Sequence, residues 1–216
     1  MTTADAYMPN RRHFILLGVA GLVSACGSIQ LLPAPMQPQL YILRPQTPAQ
    51  PMGARVPWRL SVATPDAPAS LDTTRIALSR SETTMDYFAN AAWNDRAPLL
   101  VERLLIETFD ASGRITAVDR DTSGLETDFL LETEIRDFEA RYATPDGAPE
   151  IVVSIQAKLA RMPAREIVAS ANARRTAMAA ANNLDSIVSA FSVAAGGAIA
   201  DITAWTLSAP GGAPAG

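Results

Sequence analysis

The sequence predicts an α+β fold: a mainly antiparallel or mixed sheet with two principal helices packed on one face, the second a long C-terminal amphipathic helix. Three observations carry this expectation. Apolar residues alternate with polar or small ones along most of residues 40–174, the two-residue period of half-buried strands. From Pro98 the period lengthens to that of a helix, and Ser112-Gly113 supplies a stop. From about Asn183 to Leu207 apolar residues again recur at steps of three and four.

Residues 1–25 read as a signal peptide. Arg11-Arg12 precede an uncharged apolar run from Phe14 to Val23, which ends on Ser24 and Ala25. The run falls well short of the ~20 residues a membrane-crossing helix needs. Asn10 to Ile15 resembles a twin-arginine export motif, or the two arginines simply form the basic start of the signal; Met1 and Met8 both suit as the start. Val23-Ser24-Ala25-Cys26 resembles the bacterial lipobox. That resemblance implies cleavage between Ala25 and Cys26, a diacylglyceryl thioether on the Cys26 sulfur and an acyl chain on its new amino group. Three chains exceed the two-signal requirement for stable anchoring, so the expected product is a domain tethered to a membrane. The only cysteine is thereby used, and no disulfide is expected in the fold.

Residues 26–38, with Pro33, Pro35 and Pro38, read as an extended tether; 39–208 as one domain; 209–216 as a disordered tail. Within the domain, Leu40 to Leu43 forms a short strand ended by Pro45, and Pro45 to Gly53 a loop. Val56, Trp58, Leu60 and Val62 alternate as a strand; Leu71 to Leu78 leads into a second run through Met85, Tyr87 and Ala89. Asn90 to Pro98 reads as a turn region containing Trp93. On the first helix Leu100, Val101, Leu104, Leu105 and Phe109 share a face, with Glu102, Arg103 and Glu107 opposite. Ile115 to Val118 is a short strand.

The hairpin signal is clearest after that. Phe129, Leu131, Thr133 and Ile135 alternate, then Phe138 falls out of phase, which predicts a bulge near Asp137. Thr144-Pro145-Asp146-Gly147 supplies a turn, with glycine expected in the left-handed region. Ile151 to Leu159 returns, and Glu166 to Arg174 alternates again with Ile167, Ala169 and Ala171 on one side. On the last helix no charge stands between Asp185 and Asp201, a run shorter than a bilayer span, so burial against a sheet or a partner is expected. Gly196-Gly197 would allow a close backbone approach there.

His13 is the only histidine and leaves with the signal. A mature chain without histidine or free thiol excludes Ser-His-Asp and Cys-His nucleophilic sites and the usual zinc constellations. No catalytic residue, metal ligand or cofactor is expected beyond the covalent lipid on Cys26. The arginines and the single lysine, Lys158, are scattered along a chain of net charge −4, which argues against a nucleic-acid partner. Glu132, Glu134 and Glu139 read as a solvated strand face rather than a hydrolytic carboxylate pair. Tyr41, Tyr87 and Trp93 are the candidate partner surface, the alternative being core burial; Trp205 reads as packing. The apolar face of the last helix and free strand edges offer routes to self-association.

Several stretches together resemble a known family, the ABC-type transport auxiliary lipoproteins, which include the lipoprotein of the paraquat-inducible system. They are the lipobox Cys26, Leu40-Tyr41-Ile42-Leu43, Arg75-Ile76 followed by Tyr87 and Trp93, Trp93 to Leu105, Leu130 to Glu139, and the closing helix. The resemblance implies an outer-membrane lipoprotein facing the periplasm, working beside an MCE-domain protein and an ABC permease and ATPase that move lipid between membranes, without catalysis. Gly27, where aspartate would signal inner-membrane retention, resembles the outer-membrane case. A different class remains beside it: a stand-alone structural or envelope-assembly lipoprotein.

Overall fold

The structure is a computed structural model describing residues 37–45, 53–124 and 126–209. The signal peptide, Ala25 and Cys26, most of the tether, most of the Pro45–Gly53 loop and the tail from Pro210 lie outside the described residues. The elements in order are β1 (Gln39–Tyr41), β2 (Arg59–Val62), β3 (Arg75–Ser81), β4 (Thr84–Trp93), α1 (Ala97–Ser112), β5 (Ala117–Arg120), a short 3-10 turn, β6 (Phe129–Arg141), β7 (Glu150–Arg161), β8 (Glu166–Met178) and α2 (Leu184–Ser208). This is the α+β class expected, with a mixed eight-stranded sheet and the long helix last.

β6 is the strand on which the sheet is built. β7 pairs antiparallel with it from Phe129 to Arg141 and occupies one edge along its whole length. The other edge is shared end to end: β2 lies parallel against residues 129–131, and β3 parallel against residues 139–141. Between them a bridge joins Asp66 to Glu134. The chain from Arg59 to Ser81 thus runs beside β6 as one broken strand, interrupted by an excursion. β5 extends the first half and β4 then β1 the second, while β8 follows β7. The pairings between long strands are antiparallel and the short ones parallel, hence the mixed sheet.

The bulge stands where the phase of Phe138 placed it. The register passes from Ile135↔Ile155 to Asp137↔Ser154, leaving Arg136 as the extra residue. Phe129, Leu131, Ile135, Phe138 and Ala140 therefore all enter the main core. α1 packs against α2, β2 and β5, and α2 packs against β7 and β8, so one face of the sheet is covered. At its centre Trp93, Phe138 and Phe191 meet with ring centroids 5.1–5.9 Å apart, Trp93 edge-on to both phenylalanines. Trp58 packs edge-on against Phe129 at 5.2 Å.

Both helices end as their sequences require. Pro98 sits in the first turn of α1, and Gly113 closes it at φ 60° with its N–H on the Asp110 carbonyl. Asn183 caps α2, its side chain accepting from the Ser186 amide at 2.9 Å. The 25-residue α2 packs against β7 and β8, as expected for it; the whole helix is long and apolar enough to cross a membrane by length and composition alone, and 50% of its apolar window is buried in the fold.

Four local expectations change. Trp93 is not in a turn: β4 continues through Asn90, at φ 55°, and ends on Trp93 opposite Tyr41. Glu102 is not on the solvent face of α1 but 2% exposed, because Thr64 and Arg120 arrive to meet it. Gly147 does not have positive φ; a side chain there would collide with the Thr144 hydroxyl, so closeness rather than backbone sign demands glycine. Ile167 is exposed, since the β7–β8 register shifts beside Leu159.

Candidate functional site

The uncovered face of the sheet gathers the charged side chains of β6 to β8. The same bulge that keeps Phe138 inward keeps Glu132, Glu134, Asp137, Glu139 and Arg141 together on this side. Leu130, Val152 and Ala160 are buried beneath them, apart from the main core. Glu134 pairs with Arg136 at 3.0 Å, and Glu132 stands opposite Lys158 in the ladder. Nearer the β3–β4 turn, Arg141 donates from Nε to Glu139 at 2.7 Å and from Nη2 to Asp137, whose second oxygen accepts from Arg174 Nη1 at 2.6 Å. Burial opposes the charge on Arg141, but Glu139 and Asp137 outweigh it and hold its pKa above the ordinary value. Glu139 is only 7% exposed, so this network is partly desolvated and fixed in geometry.

Two shallow grooves follow from this arrangement. One, of about 700 Å³, lies between the β3–β4 turn and the network, lined by Ser79, Ser81, Glu82, Asp137, Glu139 and Arg141 among others. The other, of about 300 Å³, is lined by residues including Asp66, Glu132, Glu134, Lys158 and Arg165. Their walls are mainly charged or polar, and the half-exposed glutamates lie beside cations. That is a solvated, hydrogen-bonding surface able to recognise a polar partner. Among the described residues no group of three His, Cys, Asp or Glu side chains is placed to hold a metal.

The three aromatic candidates do not form one surface. Trp93 is 1% exposed, sealed beneath Phe138 and Phe191, and presents nothing to a partner. Tyr41 packs half-buried beside it on β1, its phenol pushed up by burial and then by the Asp185 carboxylate. Tyr87 lies six residues earlier on β4, which is ~20 Å along a strand. Its hydroxyl donates to the Ser70 carbonyl at 3.0 Å and the Arg75 guanidinium lies 3.6 Å over its ring, so both polar tip and face are engaged. Trp205 is half-buried against the core, as packing requires. Sequence reasoning missed Arg141 and Arg174 as members of the charged network. The signal was present for the first: a bulge before Asp137 puts residues 137, 139 and 141 on one side.

The fold is similar to solved structures. The crystal structure of protein XCC0632 from Xanthomonas campestris, of the DUF330 family, superposes with a TM-score of 0.73 at 25% identity, covering 78% of this chain and 94% of that one. A second crystal structure, of an uncharacterized protein, shares the fold at a TM-score of 0.62 and 13% identity, covering 79% of this chain and 99% of the other. No curated protein matches the chain in sequence. The pattern of the ABC-type transport auxiliary lipoprotein component matches residues 41–203, from β1 through most of α2, and the chain belongs to that family.

Proposed function

We propose that this chain is an outer-membrane lipoprotein facing the periplasm, held by the diacylglyceryl and N-acyl chains on Cys26. It positions an MCE-domain protein, and through it an ABC permease and ATPase, for lipid transfer between the two membranes. It works by docking rather than by catalysis. Family membership across residues 41–203 carries this reading. The lipobox ending on Cys26 supports the anchor, and the charged uncovered face with its fixed Asp137–Arg141–Glu139 network supports a docking role.

Two measurements test it. Mass spectrometry of the processed amino terminus is expected to find Cys26 first and acylated; an unmodified thiol ends the anchoring part. Mild crosslinking in cells followed by co-purification is expected to recover an MCE-domain protein. Recovery only with cell-wall or barrel-assembly proteins would instead make it a stand-alone envelope lipoprotein.

A further inference from the structure

Two of the six large apolar side chains that are most exposed among the described residues form one corner around Arg44: Ile42 at 46%, two positions before it, and Val193 at 65%, which lines a groove with it; Leu40, at 62%, precedes this corner on β1, opposite Ala92. The corner is held together by fixed contacts. The Arg44 amide donates to Ser192 Oγ at 3.2 Å, and a Cβ added to Gly196 would stand 2.7 Å from Pro45 Cβ. The segment from Tyr41 to Pro45 therefore lies along α2, with Leu43 buried and Ile42 turned outward. Arg44 and Val193 line one shallow groove of about 300 Å³ with Ser189, Ser192, Gly196 and Gly197. Arg44 makes no ion pair among the described residues, whereas Arg175 behind Gly197 is occupied by Asp201. The other acid on α2, Asp185, lies in its first turn and acts on Tyr41.

Exposed aliphatic side chains beside an unpaired guanidinium match the chemistry of a phospholipid surface, where apolar groups enter the acyl boundary and a cation meets phosphate. Chain length points the same way. Cys26 to Gln37 is eleven residues, and the chain enters the fold at this corner, Leu40 being three residues further. A polyproline-like stretch of that length reaches only ~35 Å, so this is the part of the domain delivered closest to the anchor. Tethering at that range gives an effective concentration near ~1 mM, at which a weak surface affinity suffices.

We propose that residues 40–44 and the outer face of α2 around Val193 rest on the leaflet that holds Cys26, with Arg44 at the head-group phosphates. This orients the domain, directing the opposite end of β4 and the β3–β4 turn away from the membrane. The inference rests on the anchoring proposed above, and one experiment separates the two. The full lipidated chain is reconstituted in phosphatidylethanolamine–phosphatidylglycerol vesicles carrying a spin-labelled quenching lipid. A polarity-sensitive dye is placed through Ile42→Cys, Val193→Cys or, as the remote control, Thr83→Cys. Acylated Cys26 takes no dye, so labelling of the parent chain would show that the anchor, not the docking surface, is wrong. The expected result is quenching at 42 and 193 at least about threefold that at 83, as for side chains sunk ~5–10 Å into the interface. Adding Val193→Asp to the Ile42→Cys chain is expected to return its quenching to the control level. Equal quenching at 42, 193 and 83 overturns the proposal. So does a dye shielded at 193 without lipid quenching in particles of larger size, which would mean that a second copy covers the corner.

Discussion

Asp137 and Phe138 are neighbours in the chain and belong to different media. Phe138 is buried between Trp93 and Phe191, where stability comes from excluded water and close ring contacts. Asp137 lies on the uncovered face, bridging Arg141 and Arg174, where each contact competes with solvent. The same strand serves both because one extra residue, Arg136, resets the alternation between its halves. The helix-covered face holds the fold while the other carries the charged network, and their separation rests on strand register.

The sharpest way to break that separation is a deletion. Removing Glu134 leaves Ile135 facing outward and Arg136 inward opposite Ile155, so the expected outcome is loss of any cooperative unfolding transition by circular dichroism. Removing Arg136 itself only straightens the bulge, and that chain is expected to fold. Next in size, Phe191→Ala empties the centre of the aromatic cluster and is expected to cost about 3–5 kcal/mol by urea titration, whereas Glu132→Ala on the other face stays within about 0.5 kcal/mol.

Arg141→Met probes the charged face where it is least solvated. It strips the nearly buried Glu139 of its donor, with an expected loss of about 1–3 kcal/mol; the double variant with Glu139→Gln should recover part of it, as contacting partners do in a thermodynamic cycle. The smallest effect lies at the end of α1. Asp110 is exposed as a residue, but partial desolvation of its carboxylate, and then the Asp119 charge, raise its pKa. Its ionised form is therefore disfavoured on folding, a penalty present at neutral pH and relieved as pH falls through its folded pKa toward 3.8 and below. The carboxylate also opposes the helix dipole there. Asp110→Asn should stabilise by about 0.3–0.5 kcal/mol at pH 7 in thermal melts, with the gain vanishing in acid.

Local chemistry was legible in the residues themselves. The bulge announced itself through Phe138, α1 through Pro98 and Gly113, α2 through its three-and-four spacing, and the close approach at Gly196 through paired glycines. Long-range chemistry was not. Trp93 is buried because β1 and α2 arrive from both directions in the sequence, and no pattern around Asn90 records them. Glu102 carries the polar side of a helical stripe, yet Thr64 lies 38 positions before it and reaches its carboxylate at 3.1 Å. The end-to-end seating of β2 and β3 on one edge of β6 depends on pairing between segments ~60–70 positions apart, which alternation alone leaves open.

The short stretch from Gln39 to Pro45 also has a mechanical consequence. It is fastened by parallel pairing to β4, by the Arg44 amide on Ser192 and by Pro45 lying over Gly196. Any tension entering from the amino-terminal side therefore reaches the last helix and the aromatic cluster before it reaches the charged face. A pull on that end would be met first by this small fastening, with the charged face the last part of the sheet to feel it.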